Sequence, residues 1–82
     1  MDIKNKLSGI IARIGEMSPE QVGDTAGKYL IEDYSFDSVK LVQLIVEIED
    51  EFGIVIDDDE IDTEKINSLD TLLQTITNKV SL

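Results

Sequence analysis

The sequence contains no cysteine and no histidine, and these two absences exclude most of the familiar hydrolytic active sites. Without cysteine there is no disulfide framework, no thiolate nucleophile and no cysteine-type zinc site. Without histidine the chain lacks the usual general base and the commonest metal ligand. We therefore expect a protein that is not an enzyme, with no catalytic residues and no metal site of its own.

Long apolar runs are missing and basic residues are scarce. No stretch is long enough to span a bilayer, and the N-terminus leads into an amphipathic pattern instead of a signal peptide. We therefore expect a cytoplasmic protein with no membrane insertion. The chain has 18 acidic and 7 basic residues, a net charge of −11. Such a surface repels nucleic-acid phosphates and attracts proteins with basic patches, so we expect protein partners and no nucleic acid.

The length of 82 residues predicts one domain spanning 1–82, which we expect to be a monomer. Apolar residues make up 41% of the chain, an ordinary share for a globular protein. Three segments have apolar residues at helical spacing: 3–14, 38–52 and a last segment that begins near Asn67 or Ser68. Gly53 suits the end of the central helix.

The connections between these segments predict less regular structure. Residues 15–36 form a long loop, in which Ser18 can cap a single helical turn with Pro19 at its first position. Residues 54–56 predict a buried linker, because a lone strand there would have no partner. The acidic run 57–62 offers room for a short helical turn. The pattern therefore predicts an all-α four-helix bundle, with three main helices, a short third helix and a long loop between helices one and two.

The central helix has two apolar faces. One face must meet the core, and it contains Leu41, Leu44, Ile45, Ile48 and Phe52. Almost opposite lie Val39, Val42 and Val46, flanked by Gln43 and Glu47. Exposed apolar stripes of this kind usually mark interaction surfaces, so this face is a candidate docking strip. The alternative is that the long loop covers one or two of the valines.

Ser38 stands at the start of the central helix, directly above this strip. A serine there is most often only a cap. If Asp37 provides the cap, the Ser38 hydroxyl stays available for modification, and a phosphate on it would lie where the helix dipole favours negative charge. Ser38 is not a self-activated nucleophile, because the chain has no histidine to accept its proton.

The motif Phe36-Asp37-Ser38-Val39 and the helix that follows it resemble the Asp-Ser-Leu region and second helix of the acyl and peptidyl carrier proteins. The acidic run and the final helix match in order and spacing. The resemblance implies that Ser38 attaches a covalent 4′-phosphopantetheine arm, transferred from coenzyme A by a phosphopantetheinyl transferase. The thiol of that arm would carry acyl or aminoacyl groups as thioesters. It also implies that Val39, Val42 and Val46 face partner enzymes.

The chain departs from fatty-acid carriers on this same surface. Lys40 stands where those carriers usually have an acid, and Gln43 where many have a glutamate. The link at 62–66 looks about two residues longer than in those proteins. Fatty-acid, polyketide, peptide and other specialised pathways therefore stay open. The implied partners are enzymes that load and transfer acyl groups through basic docking patches. We expect Lys40, Gln43 and Glu47 to take part in partner recognition, with Lys40 setting specificity.

Two other functions compete with the carrier hypothesis. An unmodified acidic module that binds a basic partner would have the same charge and the same valines, and only Asp37, Ser38 and the resemblance argue against it. A calcium loop of EF-hand type at 57–62 would need a glycine at its sixth position and a glutamate at its twelfth. Neither possible register supplies them, so the sequence argues against that site.

Overall fold

The computed structural model describes residues 2–57, 59 and 61–81. The described chain contains six helices: α1 (Ile3–Gly15), α2 (Pro19–Val22), α3 (Leu30–Tyr34), α4 (Ser38–Phe52), α5 (Thr63–Asn67) and α6 (Leu69–Val80). Within these residues, an isolated antiparallel bridge pairs Tyr29 with Ser68. The all-α expectation is confirmed, with α1, α4 and α6 as the three main helices.

Helix α1 begins at a cap and ends in a left-handed turn. The Asp2 carboxylate accepts a hydrogen bond from the backbone N–H of Asn5 at 3.1 Å. Its apolar face buries Leu7, Ile10 and Ile11 against the core. This face packs on α4, α2 and α6, so α1 forms one side of the bundle.

Helix α4 contributes the central wall of the core. Leu41, Leu44, Ile45 and Ile48 are buried, and Phe52 packs half-buried against the same cluster. Gly53 ends the helix with φ of 63°, a left-handed conformation that glycine adopts at little cost. The predicted bounds, core face and stop of this helix are therefore confirmed.

Helix α6 completes the core from the C-terminal side. The Ser68 hydroxyl caps it by accepting from the backbone N–H of Thr71, which decides between the two starts, Asn67 and Ser68, that the sequence left open. Its buried residues are Leu69, Leu72 and Ile76. Leu73 and Val80 are half-buried at the margin of the core.

The long loop is folded onto the junction of α5 and α6. The predicted turn after Ser18 is α2, and its capping box with Gln21 is complete. The backbone N–H of Leu69 donates to the carbonyl of Lys28 at 3.1 Å, and that of Gly27 donates to the Asp70 carboxylate at 3.2 Å. These bonds draw the loop to the α6 side of the bundle.

The segment after α4 differs from the sequence expectation in two respects. Only Ile56 of the predicted buried linker is buried, while Val55 is 70% exposed, because successive side chains of an extended chain point to opposite sides. The link at 62–66 is largely the start of α5, with Asp62 as its cap. The turn expected within 57–62 falls partly on Asp58 and Glu60, which lie outside the described residues.

Along the residues described, no helix combines the length and the apolar character that crossing a membrane requires.

Candidate attachment site and docking surface

The start of α4 separates two roles that the sequence left open between Asp37 and Ser38. The Asp37 carboxylate accepts a hydrogen bond from the backbone N–H of Lys40 at 2.9 Å, and this makes Asp37 the cap. Ser38 is the first residue of the helix and is exposed. Within the described part of the chain, no hydrogen bond is formed by its hydroxyl. The Ser38 Oγ is therefore accessible to another molecule.

The surroundings of Ser38 fit a phosphate-linked arm. The backbone N–H groups of the first turn of a 15-residue helix favour negative charge, and that first turn contains no acidic residue. A small hollow of about 140 Å³ opens beside Ser38. Its other lining residues, mostly apolar, are Leu41, Val42, Ile45, Ile61, Thr63 and Ile66. The hydroxyl thus lies at the meeting point of a helix N-terminus and an apolar recess.

The valine strip, formed by Val39, Val42 and Val46, lies on the surface. These side chains are 67%, 63% and 58% exposed, respectively. The long loop does not cover them, so the alternative reading of these residues was wrong. Their exposure is confirmed by the structure, and their role in docking stays a prediction.

The polar neighbours of the strip have different surroundings. Lys40 is half-buried, with its Nζ 6.0 Å from the centre of the Phe36 ring. Gln43 is exposed. Glu47 forms an ion pair with Arg13 of α1, and one turn later Glu51 pairs with Lys6 at 3.6 Å.

This neutralisation of α4 by α1 was not predicted from the sequence. Arg13 and Glu47 are 34 residues apart, and a pair so distant leaves no local pattern in the sequence. Both ion pairs are partly exposed, so each contributes little to stability. Their main consequence is electrostatic, because they cancel two carboxylates on the side of α4 that faces α1.

Comparison with known proteins agrees with this geometry. The chain matches the family described as "Phosphopantetheine attachment site" over residues 5–76. It is 39% identical over 79 residues to an acyl carrier protein of Nitratidesulfovibrio vulgaris, covering 96% of this chain and 99% of the relative. It is 36% identical over 80 residues to an acyl carrier protein of Thermosynechococcus vestitus, covering 98% and 94%. A third acyl carrier protein, from Buchnera aphidicola, is 35% identical over 78 residues, covering 95% and 94%.

The family match identifies the class of protein as a phosphopantetheine-binding carrier, because the matched region includes Ser38 and most of the bundle. The chain belongs to the acyl carrier protein family. The resemblance seen in residues 36–52 is thereby confirmed. Family membership indicates a covalently attached phosphopantetheine as the prosthetic group.

Proposed function

We propose that this protein carries acyl or aminoacyl intermediates as thioesters on a 4′-phosphopantetheine arm attached to the Oγ of Ser38. The observation that carries the proposal is the division of roles at the helix start. Asp37 caps α4, so the Ser38 hydroxyl is exposed and unbonded within the described chain. When attached, the arm supplies a thiol, a group that the polypeptide itself lacks.

The residues around Ser38 bind and present the arm. The first-turn N–H groups of α4 offset the charge of a phosphate on Ser38. The recess lined by Leu41, Ile45 and Ile66 offers apolar contact beside the attachment point. In this account the chain is a carrier and not an enzyme, since the bond-making steps belong to its partners.

The valine strip is the proposed contact surface for those partners. Its valines supply exposed apolar area next to Ser38, and Lys40, Gln43 and Glu47 border it. The partners are a phosphopantetheinyl transferase, which installs the arm from coenzyme A, and enzymes that load and transfer acyl groups. Lys40 and Gln43 depart from the fatty-acid pattern, so a dedicated role in polyketide, peptide or other specialised biosynthesis fits as well as fatty-acid synthesis.

Intact-mass measurement tests the attachment. Coexpression with a broad-specificity phosphopantetheinyl transferase should add the mass of one phosphopantetheine group to the wild type and to a Ser35→Gly variant. Ser35 is a matched control, because it is an exposed serine whose φ of 59° suits glycine. Ser38→Ala should show no gain. A gain that persists in Ser38→Ala would refute the assignment, and so would its absence from the wild type with several active transferases.

A further inference from the structure

A groove of about 620 Å³ runs between α1 and α4 along one edge of the valine strip. Val42 and Val46 form its apolar wall, and Ile14 contributes from α1. Its remaining lining residues are Arg13, Glu16, Lys40, Gln43 and Glu47. The groove is open to solvent and continuous with the strip, so a partner segment seated on the valines would also contact these polar side chains.

The groove is neutral although the protein is strongly acidic. Arg13 and Lys40 balance Glu16 and Glu47, which gives a formal charge of zero against −11 for the chain. The Glu47 carboxylate is already paired with Arg13. The Lys40 ammonium has no carboxylate within 4.0 Å among the residues that the structure describes, and its Nζ lies 6.0 Å from the centre of the Phe36 ring. With Arg13 and Glu47 paired to each other, the Lys40 ammonium and the Glu16 carboxylate are the two groove charges without an ion pair in the described chain.

The opposite edge of the strip has a different charge. Thr63 lines the recess on the far side of Val42, and it lies between Asp62 and Glu64 in the sequence. Both acids are exposed. The exposed acids Asp59, Asp62 and Glu64 outnumber the one lysine of this segment, Lys65. The strip is therefore bordered by an acidic edge at α5 and by a neutral edge with an unpaired lysine at α1.

We infer that the groove receives a protein partner whose apolar contact segment bears a carboxylate, which pairs with Lys40. Apolar side chains of that segment pack on Val42 and Val46. A basic side chain placed beside Lys40 would instead be repelled by its ammonium group. This inference rests on the proposed function, since the partners are the enzymes that act on the carrier. It differs, at the α1 edge only, from the basic docking patches expected from the net charge.

Peptide titration of the isotope-labelled full chain tests the inference. The probe is a capped amphipathic helical peptide of about 15 residues, with leucines on one face and glutamates beside them. A matched peptide has glutamine in place of each glutamate. Titrations at about 0.15 M salt screen the distant acids, because the Debye length is then about 8 Å.

The glutamate peptide should shift the backbone amide signals of Val42, Gln43 and Val46. Lys40→Gln should weaken its binding about two- to fivefold, the change that corresponds to one exposed charge pair. The same variant should leave binding of the glutamine peptide unchanged. Lys28→Gln is the control, because it removes the same charge from an exposed lysine that lines a different cleft.

Three outcomes would overturn the inference. In the first, the glutamate peptide does not shift the amide signals of the groove residues. In the second, Lys40→Gln weakens the binding of both peptides equally. In the third, the groove signals shift with protein concentration in the absence of any peptide. The last would mean that a second copy of the chain occupies the groove. The titration does not require the phosphopantetheine arm. A negative titration would therefore not contradict modification at Ser38. A chain that is never modified would likewise not affect the peptide result.

Discussion

The carboxylate of Asp37 and the backbone N–H of Lys40 are joined by a 2.9 Å hydrogen bond across the first turn of α4. This bond fixes where the helix begins, and because Asp37 is the cap, the Ser38 side chain does not cap the helix. The orientation of the proposed attachment point therefore depends on a neighbour that need not take part in any reaction.

Replacing Asp37 should destabilise the fold by removing this cap. Asp37→Ala should lower the free energy of unfolding by about 0.5–2 kcal/mol, the usual cost of losing an N-cap side chain. Asp37→Asn keeps an acceptor in the same place and should retain most of that stability. Chemical denaturation of the three proteins measures the difference, and an alanine variant as stable as the wild type would show that the cap contributes nothing.

Tyr34 ties the long loop to itself. Its hydroxyl donates to the carbonyl of Val22 at 2.7 Å in a buried position. Tyr34→Phe leaves that carbonyl without its partner and should cost about 1–3 kcal/mol in the free energy of unfolding. Tyr29→Phe is the control, because Tyr29 is 46% exposed. Urea unfolding at neutral pH should separate the two variants, and equal stabilities would contradict the assigned role.

The same tyrosine predicts a loss of stability in alkali. Burial raises the pKa of the Tyr34 hydroxyl above its ordinary value of about 10, and the charges of Asp33 and Asp24 act in the same direction. The unfolded chain therefore ionises first as pH rises. The stability that the neutral Tyr34 hydroxyl contributes is present below about pH 10 and is lost as the pH rises through the pKa of Tyr34 in the folded protein. Between about pH 8 and pH 11, the free energy of unfolding should fall more steeply for the wild type than for Tyr34→Phe. Parallel curves for the two proteins would argue against a contribution from the ionisation of Tyr34.

The valine strip should matter for partner enzymes and not for folding. Val42→Asp should change stability by no more than about 0.5 kcal/mol, because Val42 is 63% exposed. It should lower kcat/KM for arm transfer by about fivefold or more, the effect of losing more than about 1 kcal/mol of interface contact. Val55→Asp is the control, since Val55 is 70% exposed outside the strip. Equal rates for the two variants would remove the strip from the transferase interface.

Lys40 should determine specificity with little effect on stability. Lys40→Asp removes a charge that repels basic docking patches, so a fatty-acid synthase acyltransferase should acylate the arm-bearing variant faster than the wild type. The lysine also lies near the Phe36 ring, a contact worth about 0.5–1 kcal/mol at an exposed site. Thermal unfolding should therefore show only a small loss. An unchanged acylation rate, or an unfolded variant, would refute this role.

Apolar periodicity was enough to predict the three main helices. In α4 the buried residues recur at helical spacing, and Asp37 and Gly53 mark its ends with residues suited to a cap and a left-handed stop. The same helical spacing places Val39, Val42 and Val46 almost opposite the buried face, and a small bundle has no second core to cover them. These features depend on residues close together in the sequence, which makes them predictable.

Helix α3 depends on a contact that sequence patterns do not record. Helix α3 has five residues, and its N-cap, Tyr29, makes no side-chain cap bond. It is held from outside, where the Asn67 side-chain carbonyl accepts from the backbone N–H of Ile31 at 2.8 Å. The pairing of Arg13 with Glu47 was hidden for the same reason, and with it the neutral groove beside the strip.

Localising the arm in the wild-type chain tests the central claim most directly. Trypsin cleaves after lysine, so the fragment from Tyr29 to Lys40 carries two serines, Ser35 and Ser38. After coexpression with a transferase, fragmentation of this peptide by mass spectrometry assigns the added mass to one of them. The account predicts the mass of phosphopantetheine on fragment ions that include Ser38 and exclude Ser35. Added mass on Ser35 or on any other tryptic peptide would contradict it.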